Sequence, residues 1–209
     1  MSLQNQIVQN CPHCQHSQEL FFYKSVNITV DPSLKQLVLD GKLNAQLCSN
    51  CEKEINIVTD FLYHNMEQRI MLHLKENVDT DELNDFERFQ DFKDRGYIYR
   101  HVQTYPELIE KIKIFDAGLN DLVVDSIKAE LSEILMSSLQ EVITEDTEEL
   151  ELNLFFDTYE KSLFKKRLLF VFFLHPSQMM QTSFSLKSFD KTKRKELFNL
   201  EALRMQSHV

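Results

Sequence analysis

Cys11-Pro12-His13-Cys14 and Cys48-Ser49-Asn50-Cys51 decide the reading of this chain, because its four cysteines fall into these two pairs and there is no fifth. Two residues between cysteines let a tight turn aim both thiolates at one ion. Two such knuckles complete a tetrahedral shell of four sulfurs at roughly 2.3 Å from Zn²⁺. Thiolate softness and tetrahedral geometry favour zinc, with iron the chief competitor. Two disulfides would suit a secreted chain, and a redox C-x-x-C normally opens a helix within a strand–helix–strand unit; neither context surrounds these pairs. Cys11, Cys14, Cys48 and Cys51 are therefore the expected ligands of one structural zinc ion. His13 and His16 are expected to be exposed turn residues.

The flanks of the knuckles are rich in strand pattern. Leu20–Tyr23 and Val26–Val30 read as strand, Asp31-Pro32 as the start of a short helix over Ser33–Asp40, and Gly41 as its stop. Leu43–Leu47 runs as a strand into the second knuckle, Ile55–Leu62 runs out of it, and Arg69–Leu74 adds another.

Several separated strings in this region resemble the CpXC domain of bacteria and archaea: C-P-H-C, Val26-Asn27-Ile28, Asp31-Pro32-Ser33-Leu34, Asp40-Gly41-Lys42-Leu43-Asn44 and C-S-N-C. The likeness continues through Arg100-His101-Val102, Glu107–Ile112 and Phe115–Asp121 to about Lys128, and covers about residues 7–140. The resemblance implies a zinc-ribbon-like N-terminal part held by Cys11, Cys14, Cys48 and Cys51, and no established activity. Ser49 stands where the pattern has proline, which is expected to loosen the second turn without removing a ligand. Asn120 stands where the pattern tends to aspartate.

Further along, Leu83, Phe86, Phe89 and Phe92 at threefold spacing point to an amphipathic helix over 79–95, and Tyr97–Val102 to a strand. Thr104-Tyr105-Pro106-Glu107 is a capping-box start, with Leu108, Ile109, Ile112 and Phe115 on one face and Gly118 as the stop. A longer helix over about 121–142 carries Val123, Ile127, Leu131, Ile134, Leu135 and Leu139 on one stripe. That stripe offers either a homodimer seam or a face packed on the chain's own sheet; the heptad spacing is too short-lived for a coiled coil. From Glu141 to Glu151 six acids occur without a base, the mark of a solvated linker. Leu152–Phe156, Leu168–Leu174 and Thr182–Leu186 then read as a meander, and Lys191–Lys195 as the lead into a tail helix near Leu197–Met205.

The fold expected from this reading is α+β: a CpXC-like domain over 7–140, with a zinc-ribbon-like β unit at about 7–75 and a helical middle at about 79–140, then a C-terminal antiparallel β-meander with a tail helix over 151–209.

Formal charge is −10 over 209 residues, and its sign changes along the chain. Residues 1–150 hold 13 Lys/Arg against 27 Asp/Glu, and residues 151–209 hold 10 against 6. The acidic part repels phosphate backbones. Nucleic-acid binding is thereby restricted to Lys165, Lys166 and Arg167, to Lys193, Arg194 and Lys195, or to the ribbon itself, with Phe or Tyr rings stacking on bases. The start resembles no signal peptide, and the longest apolar run, Leu168–Leu174, falls far short of the roughly 20 residues of a membrane helix. A cytoplasmic protein off the membrane is expected.

Catalytic motifs are thin. No Walker A loop, G-x-G-x-x-G, H-E-x-x-H or G-x-S-x-G occurs, and three glycines leave no phosphate cradle. Asp60, His64 and Glu67 form a loose carboxylate–histidine grouping, and His101 and His175 read as strand histidines. The leading expectation is a zinc-binding module that binds or scaffolds a protein partner without catalysis. A nucleic-acid-binding zinc ribbon is the alternative, and a hydrolase at Asp60/His64/Glu67 or a thiol oxidoreductase at a knuckle stands behind both.

Overall fold

The structure, a computed structural model, describes residues 2–76, 92, 94–140, 152–162, 165–175 and 178–205. Among these the order is β1 (Leu3–Asn10), β2 (Ser17–Asn27), α1 (Leu34–Leu39), β3 (Ala45–Leu47), β4 (Glu54–Asn56), β5 (Phe61–Asn65), β6 (Ile70–Leu74) and β7 (Ile98–Val102). Then come α2 (Tyr105–Asp116), α3 (Asp121–Gln140), β8 (Phe155–Lys161), β9 (Lys166–His175), β10 (Gln178–Ser185), a 3-10 turn (Leu186–Ser188), α4 (Lys191–Leu197) and α5 (Leu200–Met205). The architecture is α+β, as the sequence leads one to expect. Most of the helix expected over 79–95 lies outside the described residues, as does the whole acidic run 141–151. Packing divides the chain into two units between Ile109 and Glu110, inside α2.

The first unit is built on a five-stranded sheet in the order β1-β2-β5-β6-β7, beside a separate β3-β4 hairpin. The outer pair β1–β2 and the pair β5–β6 are antiparallel, whereas β2–β5 and β6–β7 are parallel. Alternate positions feed the core: Leu20, Phe22, Phe61, Tyr63, Ile70, Leu72, Ile98 and Val102 are buried, and α1 and α2 add Val38 and Leu108. Ile55–Leu62 is two strands rather than one. β4 ends at Asn56 and β5 begins at Phe61, and the four residues between them, with Val58 at 93% exposure, belong to neither strand. Helix α1 begins after Ser33, two residues later than Asp31 suggested, and ends at Gly41, whose φ of +68° is the left-handed geometry of a helix stop.

Most of one edge of β2 lacks a strand neighbour, since β5 pairs only with Ser25–Asn27. Two side-chain amides fill the gap. Phe21 N–H donates to Gln46 Oε1 at 3.1 Å and its carbonyl accepts from Gln46 Nε2; Tyr23 N–H donates to Asn44 Oδ1 at 2.8 Å and its carbonyl accepts from Asn44 Nδ2 at 3.1 Å. Alternate residues of a strand point their backbone groups to the same side, which is why residues 21 and 23 are the pair so bridged.

The second unit holds an antiparallel meander in the order β10-β9-β8. Its core joins Val124, Ile127 and Leu131 of α3 to Phe156, Leu168, Phe170 and Phe172 of the sheet and Leu197 of α4. Val123, Ile127, Leu131 and Leu135 of the α3 stripe thus pack in this core, whereas Ile134 is 61% exposed. Asn120 caps α3: its Oδ1 accepts from Leu122 N–H at 3.0 Å and Val123 N–H at 3.4 Å. Lys191–Lys195 does not lead into the tail helix but is itself helical, because Asp190 Oδ1 caps it by accepting from Lys193 N–H at 2.8 Å.

Charges inside this unit are paired. Glu110, 2% exposed, meets Lys128 at 2.7 Å and accepts the Phe156 N–H at 2.6 Å, while Lys111 bridges buried Asp121 at 3.0 Å and Asp125 at 2.7 Å. Burial pushes the Glu110 carboxyl above the usual range, with Lys128 pulling the other way. Burial also opposes the Lys111 charge, but Asp121 and Asp125 outweigh it and hold its ammonium above the usual value.

Candidate metal centre

Each knuckle is the turn of an antiparallel hairpin. Cys11–His16 joins β1 to β2, and Cys48–Lys53 joins β3 to β4. The two turns share one backbone pattern. Cys11 N–H donates to His16 O and Gln15 N–H to Cys11 O, both at 2.9 Å; Cys48 N–H donates to Lys53 O and Glu52 N–H to Cys48 O, also both at 2.9 Å. The fifth residue of each turn is left-handed, Gln15 at φ +61° and Glu52 at φ +58°, although neither is glycine. Such φ values cost a side chain conformational energy and persist where surrounding contacts over-determine them.

These turns bring the four thiols into one cluster. All four Sγ atoms lie within 4.8 Å of one another, with Cys11 and Cys51 at 3.8 Å and Cys14 and Cys48 at 3.6 Å. Four sulfurs on a tetrahedron around one ion at roughly 2.3 Å would stand about 3.8 Å apart. Donor set and spacing fit a tetrahedral metal ion. Cys11 and Cys48 are buried with Leu20 and Ile55, and Cys14, Cys51 and Ile57 flank them half-buried. Among the hydrogen bonds to sulfur, His13 N–H approaches Cys11 Sγ at 3.4 Å and Asn50 Nδ2 approaches Cys14 Sγ at 3.6 Å.

Electrostatics point the same way. Asn50 and the backbone at His16 bring the Cys14 thiol down to about 6, against desolvation. At Cys51 the Lys53 backbone favours the thiolate, but desolvation and the neighbouring thiols push it up to about 12. Thiols this close resist ionising together unless a cation shares their charge.

The CpXC protein family matches residues 9–128, more than half of the chain. This chain belongs to the CpXC family. No curated protein and no solved structure matches it. In this CpXC chain Ser49 does not loosen the second knuckle. Its N–H and hydroxyl both donate to Gln18 Oε1, at 2.8 and 3.1 Å, and Gln18 Nε2 reaches Leu47 O at 3.5 Å. A proline would lack that N–H, so this turn is held by hydrogen bonds instead of by a ring. Gln18 is a supporting residue that the sequence reading missed; the only local signal is its position two residues past the first knuckle loop.

The remaining candidates are not assembled into a second site. His64 Nε2 lies 3.2 Å from Tyr97 Oη, and burial lowers the histidine's pKa. Asp60 and Glu67 are exposed, Asp60 lining a pocket of about 750 Å³ with Phe61, Thr104 and Tyr105 that includes neither His64 nor Glu67. His13 and His16 are exposed, and His101 stands edge-on to His73 at 6.2 Å on neighbouring strands. The cysteines are the sole group of three or more metal-ligating side chains among the described residues. Of the basic candidates, Lys165, Lys166, Lys193, Arg194 and Lys195 are exposed, and Arg167 is half-buried against Glu160 at 2.7 Å. No helix of the described residues is long and apolar enough to cross a membrane.

Proposed function

We propose that this CpXC chain is a cytoplasmic zinc protein in which Cys11, Cys14, Cys48 and Cys51 hold one structural ion, and that it works as a binding or scaffolding module without catalysis. The clustering of the four sulfurs within 4.8 Å carries the reading. Four protein thiolates complete the tetrahedral preference of zinc, which leaves no open position for water or substrate. Burial of Cys11 and Cys48 beside Leu20 and Ile55 supports a role in folding, since a structural ion contributes its binding free energy to the folded state.

Elemental analysis of protein purified without added metal tests the ion. A zinc-to-chain ratio near one is expected; a ratio near zero, with melting unchanged by chelator, sinks both the ion and its structural role. The partner class is protein. Light scattering separates a second copy of this chain from a different chain recovered from the native host, and recovery of neither defeats the scaffolding role.

A further inference from the structure

The second unit carries cations from two distant stretches to one end of its sheet. Lys161 pairs with Lys166 across the β8–β9 ladder, and the next pair inward on the same face is Tyr159 with Leu168. The β9–β10 ladder ends with Arg167 opposite Ser185, directly before the 3-10 turn on which α4 rests: Arg194 Nε donates to Leu186 O at 2.8 Å and its Nη2 to Lys187 O at 3.4 Å. Helix α4 then places Phe198, 44% exposed, against Tyr159 with ring centroids 5.6 Å apart. This end of the unit thus carries Lys161 opposite Lys166, Phe198 packed on Tyr159 two residues before Lys161, and Arg194 and Lys195 one helical turn before Phe198.

The acids nearby are largely engaged. Glu160 binds Arg167, Glu201 binds Arg204, and Asp190 caps α4. Glu130 stands 3.9 Å from Lys193, while Glu196 is exposed. No ion pair holds Lys161, Lys166 or Lys195 among the described residues.

We propose that this surface of the C-terminal unit binds single-stranded nucleic acid, a base stacking on Phe198 while Lys161, Lys166, Arg194 and Lys195 contact the flanking phosphates. A cationic partner is excluded by the local charge. A strand of nucleic acid is favoured over an acidic peptide by the ring: base stacking on an aromatic side chain is sequence-tolerant and adds to phosphate neutralisation, whereas acidic side chains gain nothing from an exposed phenyl face. Duplex bases are stacked on one another and cannot use the platform. The acidic remainder of the chain confines contact to this surface and limits affinity.

The test uses the full chain, loaded with zinc, and fluorescence anisotropy of labelled 20-nucleotide oligo-dT and oligo-U. Affinity is expected to fall about twentyfold to fiftyfold between 50 and 200 mM salt, as neutralising three or four phosphates of a single strand requires. Phe198→Leu, which keeps an apolar side chain at a half-exposed site, should weaken binding about fivefold or more at an unchanged salt slope. Lys161→Gln with Lys166→Gln should instead flatten the slope. The oligo-dT and oligo-U arms tell DNA from RNA, and either binding supports the proposal. No binding at 50 mM salt overturns it, and so does equal binding of polyglutamate or duplex with Phe198→Leu neutral, which would assign the surface to polyanions at large. Melting curves matching the parent show that the variants remain folded.

Discussion

Gln18 and Ser49 lie on different hairpins, and the carboxamide oxygen of Gln18 accepts both the backbone N–H and the hydroxyl of Ser49. That bond ties the start of β2 to the second knuckle. It holds one metal-binding turn in register with the strand leaving the other.

Gln18→Ala should therefore loosen the site without removing a ligand. Supporting hydrogen bonds around metal ligands commonly change affinity about tenfold to a hundredfold, and these are solvent-facing, so the low end is expected. Competition with a chromophoric chelator measures it. Equal metal affinity in parent and variant would show that the two hairpins are registered by the cysteines alone.

Removing the metal should act on one unit. Cys48→Ser, or excess chelator, is expected to destabilise residues 2–76 by several kcal/mol, given apparent energies of roughly 10–16 kcal/mol for zinc in finger peptides. Hydrogen exchange should report loss of protection in β1–β4 with β8–β10 preserved. Uniform loss across both units would contradict this.

Lys111→Met removes the cation facing Asp121, whose side chain is fully buried. A cost of about 3–5 kcal/mol is expected, as for other broken buried ion pairs. Adding Asp121→Asn should recover part of that loss, because the carboxylate no longer needs a counter-charge. Urea unfolding of the two variants decides it; a double variant no better than the single would refute the pairing as the source of the cost.

Glu110 gives the pH dependence an unusual sign. Its folded carboxyl titrates above the ordinary 4.5 because burial disfavours the charge more than Lys128 and the Phe156 N–H favour it. The folded state thus holds the proton more tightly, so this group's contribution is fully present below 4.5 and is lost as pH rises through the raised value. Glu110→Gln should flatten that part of the stability profile. An unchanged slope between parent and variant above pH 4.5 would place the charge effect elsewhere.

Cysteine spacing made the metal cluster legible, and Gly41, Thr104 and Gly118 marked helix ends close to where they fall. Strand β1 escaped notice because Leu3–Asn10 is exposed at nearly every position and therefore shows no alternation; it is held by backbone pairing to β2. The start of α4 was hidden by its lysines, which look like a solvated run until Asp190 is recognised as a cap. Glu110 and Lys128 sit on separate helices, 18 positions apart, and no local pattern announces that they meet. Gln18 is of the same kind, an ordinary polar residue whose partner lies 31 positions away.

The amides of Asn44 and Gln46 have a consequence beyond folding. A bare strand edge is a template on which another chain can add a strand. By occupying the backbone groups of Phe21 and Tyr23, these two side chains close that template using residues from the segment that leads into the second knuckle. If release of the ion frees that segment, it also uncovers the edge, and the metal-free protein would then be exposed to fibrous self-association at concentrations the loaded form tolerates.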